Sequence, residues 1–489
     1  MIKKYVLMAA AAGLLLAPAG AFAKMGSGQM SAKSKDIDVE FFGSLKAYPH
    51  FMTNVDFNDD NTGRDVILDE SGFMKDHSVR SEARIGWKGT GENWDFLVIL
   101  EADYVMNKVN GDRGETTETA FGTLTTGPSR AGMSGASTGF EKLEFGYDFG
   151  CFKVSTGVNG RALDMKTGGI LYGDDHPFFG LKGKAGAMSW EALYLMIQDD
   201  IENDGGVFDG DNLDWRVYSL RGAFDLGGFT LAPMYAFSDN NDHQAQTHYL
   251  GIEGYGKIGI VTPRFEIIYA TGEMDEDDDA GITDDYDIDA LGAYASLEFD
   301  LGKKFNPYIG AYYLEGDGDA NDDDLEAFNG ITNISRYTPT FGMENAIIYR
   351  YVPSLGSHLY TNNFNRLGNT QGYGGISNSS MGDAPGMIMY GLGAKGQVTD
   401  QFSYKTQLMF FELEDTGALE DMGTYAGGND IDDEMGWEFD LQLTYAFSNH
   451  FSIGNVLSIF DPGDAIEDLW GDDYDDTAYV DTIEMIWKF

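Results

Sequence analysis

Along most of this chain apolar and polar residues alternate one by one. Trp94, Phe96, Val98, Leu100, Ala102 and Tyr104 interleave with Asp95, Glu101 and Asp103. Leu143, Phe145, Tyr147 and Phe149 interleave with Glu144, Gly146 and Asp148, and Trp437 to Phe447 repeats the pattern against Glu438, Asp440, Gln442 and Thr444. A period of two marks strands with one apolar and one polar face. The stretches run about ten residues or more and are flanked by aromatics, which suits a strand that crosses a bilayer at a tilt better than the five or six residues usual in soluble sheets. The gaps between them alternate. Short turns are expected near 89–93, 149–151, 184–187, 226–228, 257–259, 302–304, 353–356, 398–401 and 448–450, with long connections between, an asymmetry typical of outer-membrane barrels.

These elements predict an all-β fold: a transmembrane antiparallel β-barrel of about twenty strands, with short periplasmic turns and long acidic extracellular loops. The count includes a hairpin at 341–352 and 357–366. The two weakest patterns, 177–185 and 357–366, leave eighteen strands as the alternative. After the leader there is no apolar run of eighteen or more residues, so no transmembrane helix is expected. Lys3 and Lys4, the apolar run Tyr5–Ala17 and the small-x-small site Ala21-Phe22-Ala23 form a secretory signal peptide pattern. The expected division is a signal peptide at 1–23 cleaved near Ala23, a short periplasmic segment at 24–36 and one barrel domain at 37–489. The outer membrane of a Gram-negative bacterium is the compartment this implies.

Charge changes the picture. The net charge of −48 is concentrated in six segments, 54–76, 199–214, 272–289, 315–326, 412–434 and 461–476, which hold 48 of the 80 acidic residues and, as bases, only Arg64 and Lys75. All six fall at long connections. Solvated loops explain this, and so does an acidic vestibule that concentrates cations. Asp317, Asp319, Asn321 and Asp323 alternate as in a calcium loop, but Asp322 replaces the expected Gly and Phe328 the bidentate Glu, so loosely bound calcium or another divalent cation is the expectation, and no other cofactor. A single cysteine, Cys151, rules out an intramolecular disulfide.

Placing the apolar positions outward puts Arg80, Glu82, Arg84 and Lys88 on the lumen side of one strand and Arg264 and Glu266 on that of another. Glu344 and Arg350 share a face, and Lys395 and Lys405 complete the expected pore lining. Mixed charge on the inner wall serves a water-filled channel, or pairs off and braces the barrel. The outward series Ile483, Met485, Trp487 and Phe489 resembles the terminal strand of outer-membrane barrels and implies recognition by the barrel assembly machinery. No catalytic elbow, phosphate loop or zinc spacing is found among the seven histidines and their neighbours, so an enzyme is not expected.

Three segments carry a family resemblance over roughly the last 180 residues: Tyr312-Tyr313-Leu314-Glu315-Gly316-Asp317 followed by Phe328, Gly436-Trp437-Glu438-Phe439-Asp440, and Phe460-Asp461-Pro462-Gly463. They resemble the alginate-export-like family of outer-membrane barrels, which includes porin-like relatives. The resemblance implies a diffusion or export channel. The acidic loops depart from the basic lining of a polyanion channel. The expected function is therefore a porin passing small hydrophilic solutes by diffusion, with a polysaccharide exporter as the alternative and an outer-membrane enzyme or adhesin as a third. Expected partners are outer-membrane lipids and lipopolysaccharide, the assembly machinery and, as a candidate assembly, a homotrimer; no nucleic acid is expected.

Overall fold

The structure is a computed structural model. It describes residues 31–33, 38–54, 57–58, 79–106, 116–119, 122–125, 134–164, 166–174, 176–198, 214–241, 244–275, 285–319, 321–333, 385–422 and 430–489. The expected leader and the hairpin at 341–366, with Glu344 and Arg350, lie outside the described residues.

Eighteen long strands form the wall: β1 (Asp38–Thr53), β2 (Val79–Thr90), β3 (Trp94–Met106), β4 (Ser134–Asp148), β5 (Phe152–Val158), β6 (Pro177–Ala185), β7 (Met188–Gln198), β8 (Trp215–Asp225), β9 (Phe229–Asn240), β10 (Ala245–Gly256), β11 (Val261–Met274), β12 (Tyr286–Phe299), β13 (Asn306–Leu314), β14 (Met387–Gln397), β15 (Phe402–Glu412), β16 (Glu434–Ser448), β17 (Phe451–Pro462) and β18 (Ala478–Lys488). Each pairs antiparallel with its sequence neighbours, and β18 pairs with β1 (Leu45 opposite Trp487, His50 opposite Thr482), so the sheet closes and leaves no long edge. The count is eighteen rather than twenty because β13 pairs directly with β14, from Asn306 opposite Lys395 to Leu314 opposite Met387. That ladder leaves no place between them for a further hairpin.

The alternating pattern does what it predicts. Leu45, Ile85, Leu100, Phe145, Leu220, Leu250, Ile267, Ile309 and Leu392 point outward and are exposed, the arrangement of a wall whose outer surface meets hydrocarbon rather than water. Aromatic rings gather at the short-turn end, where Trp487 stacks on Phe451 at 4.8 Å and Tyr147 meets Phe149 at 4.8 Å. Near the other rim the outward tyrosines hydrogen-bond to acids: Tyr269 to Asp289 at 2.8 Å, Tyr390 to Glu412 at 2.8 Å and Tyr313 to Glu414 at 2.9 Å. A ring in the apolar zone with a hydroxyl on a polar partner is the placement tyrosine takes at a membrane interface.

Short turns follow from local chemistry. Gly186-Ala187 joins β6 to β7 in two residues, with Gly186 at φ +65°, a conformation that costs a residue with a Cβ. Between β8 and β9 the Asp225 carboxylate accepts the Gly227 N–H at 2.8 Å, and Gly227 takes φ +82°. One connection on the long-loop side is also short, the four residues between β9 and β10.

The long connections are not simply solvated. The segment after β5 and the one after β13 fold inward and meet in a small sheet of Arg161–Ala162, Tyr172–Asp174 and Thr332–Asn333. Leu163, Ile170, Leu171, Tyr172, Phe328 and Ile331 are buried there against inward wall residues Tyr249, Ile268, Tyr294 and Tyr312. Two short helices, α1 (Gly417–Met422) and α2 (Asp464–Trp470), sit at the same end. Leu419 of α1 and Ile466 and Leu469 of α2 are buried with Phe57, Phe411 and Phe460, and Phe57 lies 5.3 Å from Phe460 and 6.2 Å from Trp470. The core of this molecule therefore lies inside the barrel, between the wall and its own loops. Fully burying such side chains contributes about 1.5–3 kcal/mol each.

Candidate channel and its charged wall

Inward positions on β1 to β4 bring together a network of ions. Arg84 Nε lies 2.9 Å from Glu82 Oε1 and also bonds Glu101, and its Nη2 reaches Glu141 at 2.9 Å; Lys46 reaches Glu82 at 2.6 Å. Glu82 is almost completely buried and Arg84 is partly wetted. Lys88 pairs with Glu40 at 2.8 Å near the short-turn end, where both are open to solvent. Arg80 is paired with Tyr48 in the β1–β2 ladder. Glu82, Arg84 and Lys88 fall on the inner face of β2, with Glu82 closed off beneath its partners, and sequence alternation could not have named Glu101 and Glu141, because these come from two other strands.

Further round the barrel the wall carries a second group. Arg264 of β11 lies 3.4 Å from Glu298 of β12, and Lys395 of β14 lies 2.9 Å from the same carboxylate. Lys405 of β15 stands directly across the ladder from Lys395. Arg264, Glu298 and Lys395, with Lys166 of the inward segment, Tyr294, Tyr308, Tyr312 and Gln407, line a cavity of about 240 Å³ within the barrel. A second cavity of about 470 Å³ lies towards the short-turn end and is lined by Lys303, Lys395, Lys405, Gln442 and Thr444. Cations outnumber acids around both, in contrast to the loops above.

Glu266 departs from the expectation. It sits one inward position from Arg264 but faces no water: its side chain is sealed under the inward segment, where Oε2 accepts the Gly168 N–H at 2.8 Å and the Thr167 hydroxyl at 2.9 Å. It anchors that segment rather than lining the pore. The segment leaves the wall between β5 and β6, and its Thr167 reaches Glu253 of β10 and Glu266 of β11, while the Tyr312 hydroxyl of β13 donates to the Gly168 carbonyl at 3.2 Å. It therefore crosses the lumen and narrows it. No local signal in the sequence marks it, since its apolar run Gly169-Ile170-Leu171-Tyr172 is short and aperiodic.

The acidic stretch after β13 is a folded turn. Asp317 is buried; its two oxygens accept the Asp319 N–H at 3.1 Å and the Glu326 N–H at 3.2 Å. Asp319 accepts the Asn321 N–H at 2.9 Å, and Asn321 donates to Asp421 at 3.0 Å. Asp323 belongs to the same turn, its carbonyl accepting the Asp287 N–H at 2.9 Å. These side chains cap backbone groups, and no set of three or more acidic, histidine or cysteine side chains poised for a metal ion is found among the described residues. Burial first, and then Asp322 and Asp324 beside it, push the Glu326 carboxyl up. At the opposite end, the hydrogen bond and charge of Lys257 hold Asp300 down.

Ile483, Met485 and Trp487 alternate along β18, with Ile483 buried and Trp487 exposed, and Phe489 follows the strand, also exposed. Phe489 exchanges backbone hydrogen bonds with Gly43 at 2.9 and 3.0 Å, and its ring stands 6.0 Å from Phe41.

No family model matches this chain, and no curated protein does. Solved structures match along almost its whole length. OccAB2 of Acinetobacter baumannii covers 92% of this chain and 98% of its own, at 11% identity and a TM-score of 0.53. OccK5 (OpdH) of Pseudomonas aeruginosa has the same coverage and identity with a TM-score of 0.48. OccK2 (OpdF) of Pseudomonas aeruginosa, solved in complex with glucuronate, covers 92% and 98% at 10% identity and a TM-score of 0.49. This chain shares the fold of OccAB2 and is itself a closed antiparallel barrel of eighteen strands. The alginate-export-like family expected from the closing strands is not among these matches.

Proposed function

We propose that this protein is an outer-membrane porin through which small hydrophilic solutes diffuse, with acidic outer loops that gather cations at its mouth. The observation that carries the reading is the wetted, mixed-charge cavity formed by Arg264, Lys395, Glu298 and Tyr308 beneath the inward segment. Such a passage offers hydrogen bonds in place of hydration without holding a solute tightly. A segment folded across the lumen favours small solutes over a growing polysaccharide chain, so the exporter reading is the weaker one. In this reading residues 1–23 direct export and are removed, lipopolysaccharide and outer-membrane lipids surround the wall, the assembly machinery inserts it, and a homotrimer is the assembly to test. Reconstitution in liposomes tests the function. Sugars of increasing size should enter down their gradients at rates that fall steeply with size, without any energy source. Absence of both sugar entry and ionic conductance would overturn the channel reading; conductance that appears only with a polysaccharide would revive the exporter.

A further inference from the structure

Where the inward segment meets the wall, three carboxylates converge: Asp164 on the segment, Glu253 on β10 and Glu266 on β11, with exposures of 1%, 1% and 0%. Among the described residues one cation serves them directly. Arg221 of β8 donates through Nε to Glu253 at 2.7 Å. Lys166 lies over the Tyr255 ring, 4.9 Å from its centroid, and Arg264 reaches towards Glu298. Asp164 and Glu266 instead meet at Thr167, whose hydroxyl lies 2.9 Å from the Asp164 carbonyl and 2.9 Å from Glu266 Oε2. Two carboxyls packed together in a dry site without a cation of their own need a proton on one of them. Glu266 Oε1 is buried with no hydrogen-bond partner, although Oε2 accepts two. Asp164 accepts the Leu171 N–H at 2.5 Å and the Tyr172 N–H at 3.3 Å, which folds the segment around it. Two bare charges side by side in a dry site would repel strongly.

We infer that this shared proton is a latch: while it is present the segment stays docked across the lumen, and its loss releases the segment and widens the channel. Burial supports this from the segment side by pushing the Asp164 carboxyl up to about 6. An acid whose value is raised by docking binds its proton more tightly in the docked state. Docking is therefore favoured at low pH and weakens as pH rises, and the ratio of released to docked segment grows up to about tenfold per pH unit across the titration. The other ionisable groups around the pair are Tyr294 and Glu298 on β12, Tyr312 on β13, and His176, whose Nδ1 lies 3.2 Å from the Tyr172 hydroxyl at the far end of the segment. Of these, His176 is the one whose ordinary range overlaps that of the latch.

The inference rests on the channel reading, and the test separates the two. Single channels of the full chain are recorded in planar bilayers from about pH 5 to about pH 8. In the wild type, conductance and flicker should rise with pH. In Glu266→Gln the amide donates to Asp164 without a titrating proton, so conductance should stay at the low-pH level throughout. In Gly168→Ala the new Cβ would fall 2.7 Å from Glu266 Oε2 and 2.8 Å from the Tyr294 Cβ, prising the segment off the wall, so the high-pH level should appear at every pH. If Glu266→Gln does not assemble, Gly168→Ala carries the test alone, and a pH step as large as the wild type's in that variant overturns the latch. A wild type whose conductance ignores pH overturns the latch, as does a pH step that survives in Glu266→Gln, which would point to His176. No conductance in any protein would instead defeat the channel reading.

Discussion

Arg84 shows how much a single side chain carries in this wall. It touches Glu82, Glu101 and Glu141, from three successive strands, and among the described residues only Lys46 is added to balance their charge. Removing one partner from a buried ion cluster leaves the others desolvated and unbalanced, a loss of about 3–5 kcal/mol; since Arg84 is partly wetted, the lower end applies. Arg84→Ala should lower the temperature at which the folded, fast-migrating form converts to the unfolded one on electrophoresis, and Arg84→Lys should recover only part, because an ammonium cannot fork to several carboxylates. An unchanged conversion temperature would show that the network adds nothing. Residue-scale reasoning from the sequence placed Glu82, Arg84, Lys88, Arg264, Lys395 and Lys405 on the inner face, because a period of two decides the face as soon as the apolar side is known. It misjudged the role of Glu266, because a strand pattern says which face a residue takes and nothing about what a distant loop lays over it.

Elements were legible where the pattern is long. Each of the eighteen wall strands was placed from alternation, including the short Pro177–Ala185, which pairs with neighbours on both sides. The expected extra hairpin arose because turn signals near 353–356 resemble those at true periplasmic turns; the β13–β14 ladder, a pairing between residues far apart in sequence, settles the count. The loops were misread for a different reason. Their acidic composition dominates, yet Leu419, Ile466 and Leu469 are spaced to bury one side of each short helix while the acids face out, and segments of six or seven residues are too short for periodicity to register. The last strand gives a prediction at this scale. Phe489 closes the barrel through paired backbone bonds to Gly43 and an aromatic contact with Phe41, and its position at the end of the alternating series Ile483, Met485 and Trp487 suits recognition during assembly. Deleting it should reduce the amount of folded barrel in the outer membrane several-fold and leave unfolded chain in the periplasm. A normal yield of heat-modifiable protein would refute the role.

For the molecule as a whole, charge is divided by depth. The long connections hold nearly all the excess acid, while the cavities within the barrel are lined by Lys166, Arg264, Lys303, Lys395 and Lys405 against Glu298. Two opposed selectivity elements are thus in series, and ionic strength separates them. The screening length is about 10 Å at 0.1 M salt and about 3 Å at 1 M. Loop charges act across a wide, wet mouth and should be screened first; lumen charges act at contact distance between low-dielectric walls and should persist. The reversal potential across a salt gradient should therefore show cation preference in dilute salt that fades, and can invert, as salt rises. Neutralising Asp275, Asp277, Asp278 and Asp279 together should weaken the low-salt preference and leave high-salt conductance nearly unchanged. Arg264→Gln should do the opposite: Lys395 remains on Glu298, so the cavity loses one positive charge and cation preference increases most at high salt, where the loops are silent. Anion preference of the wild type in dilute salt would sink the vestibule and leave the basic cavity as the element that sets selectivity.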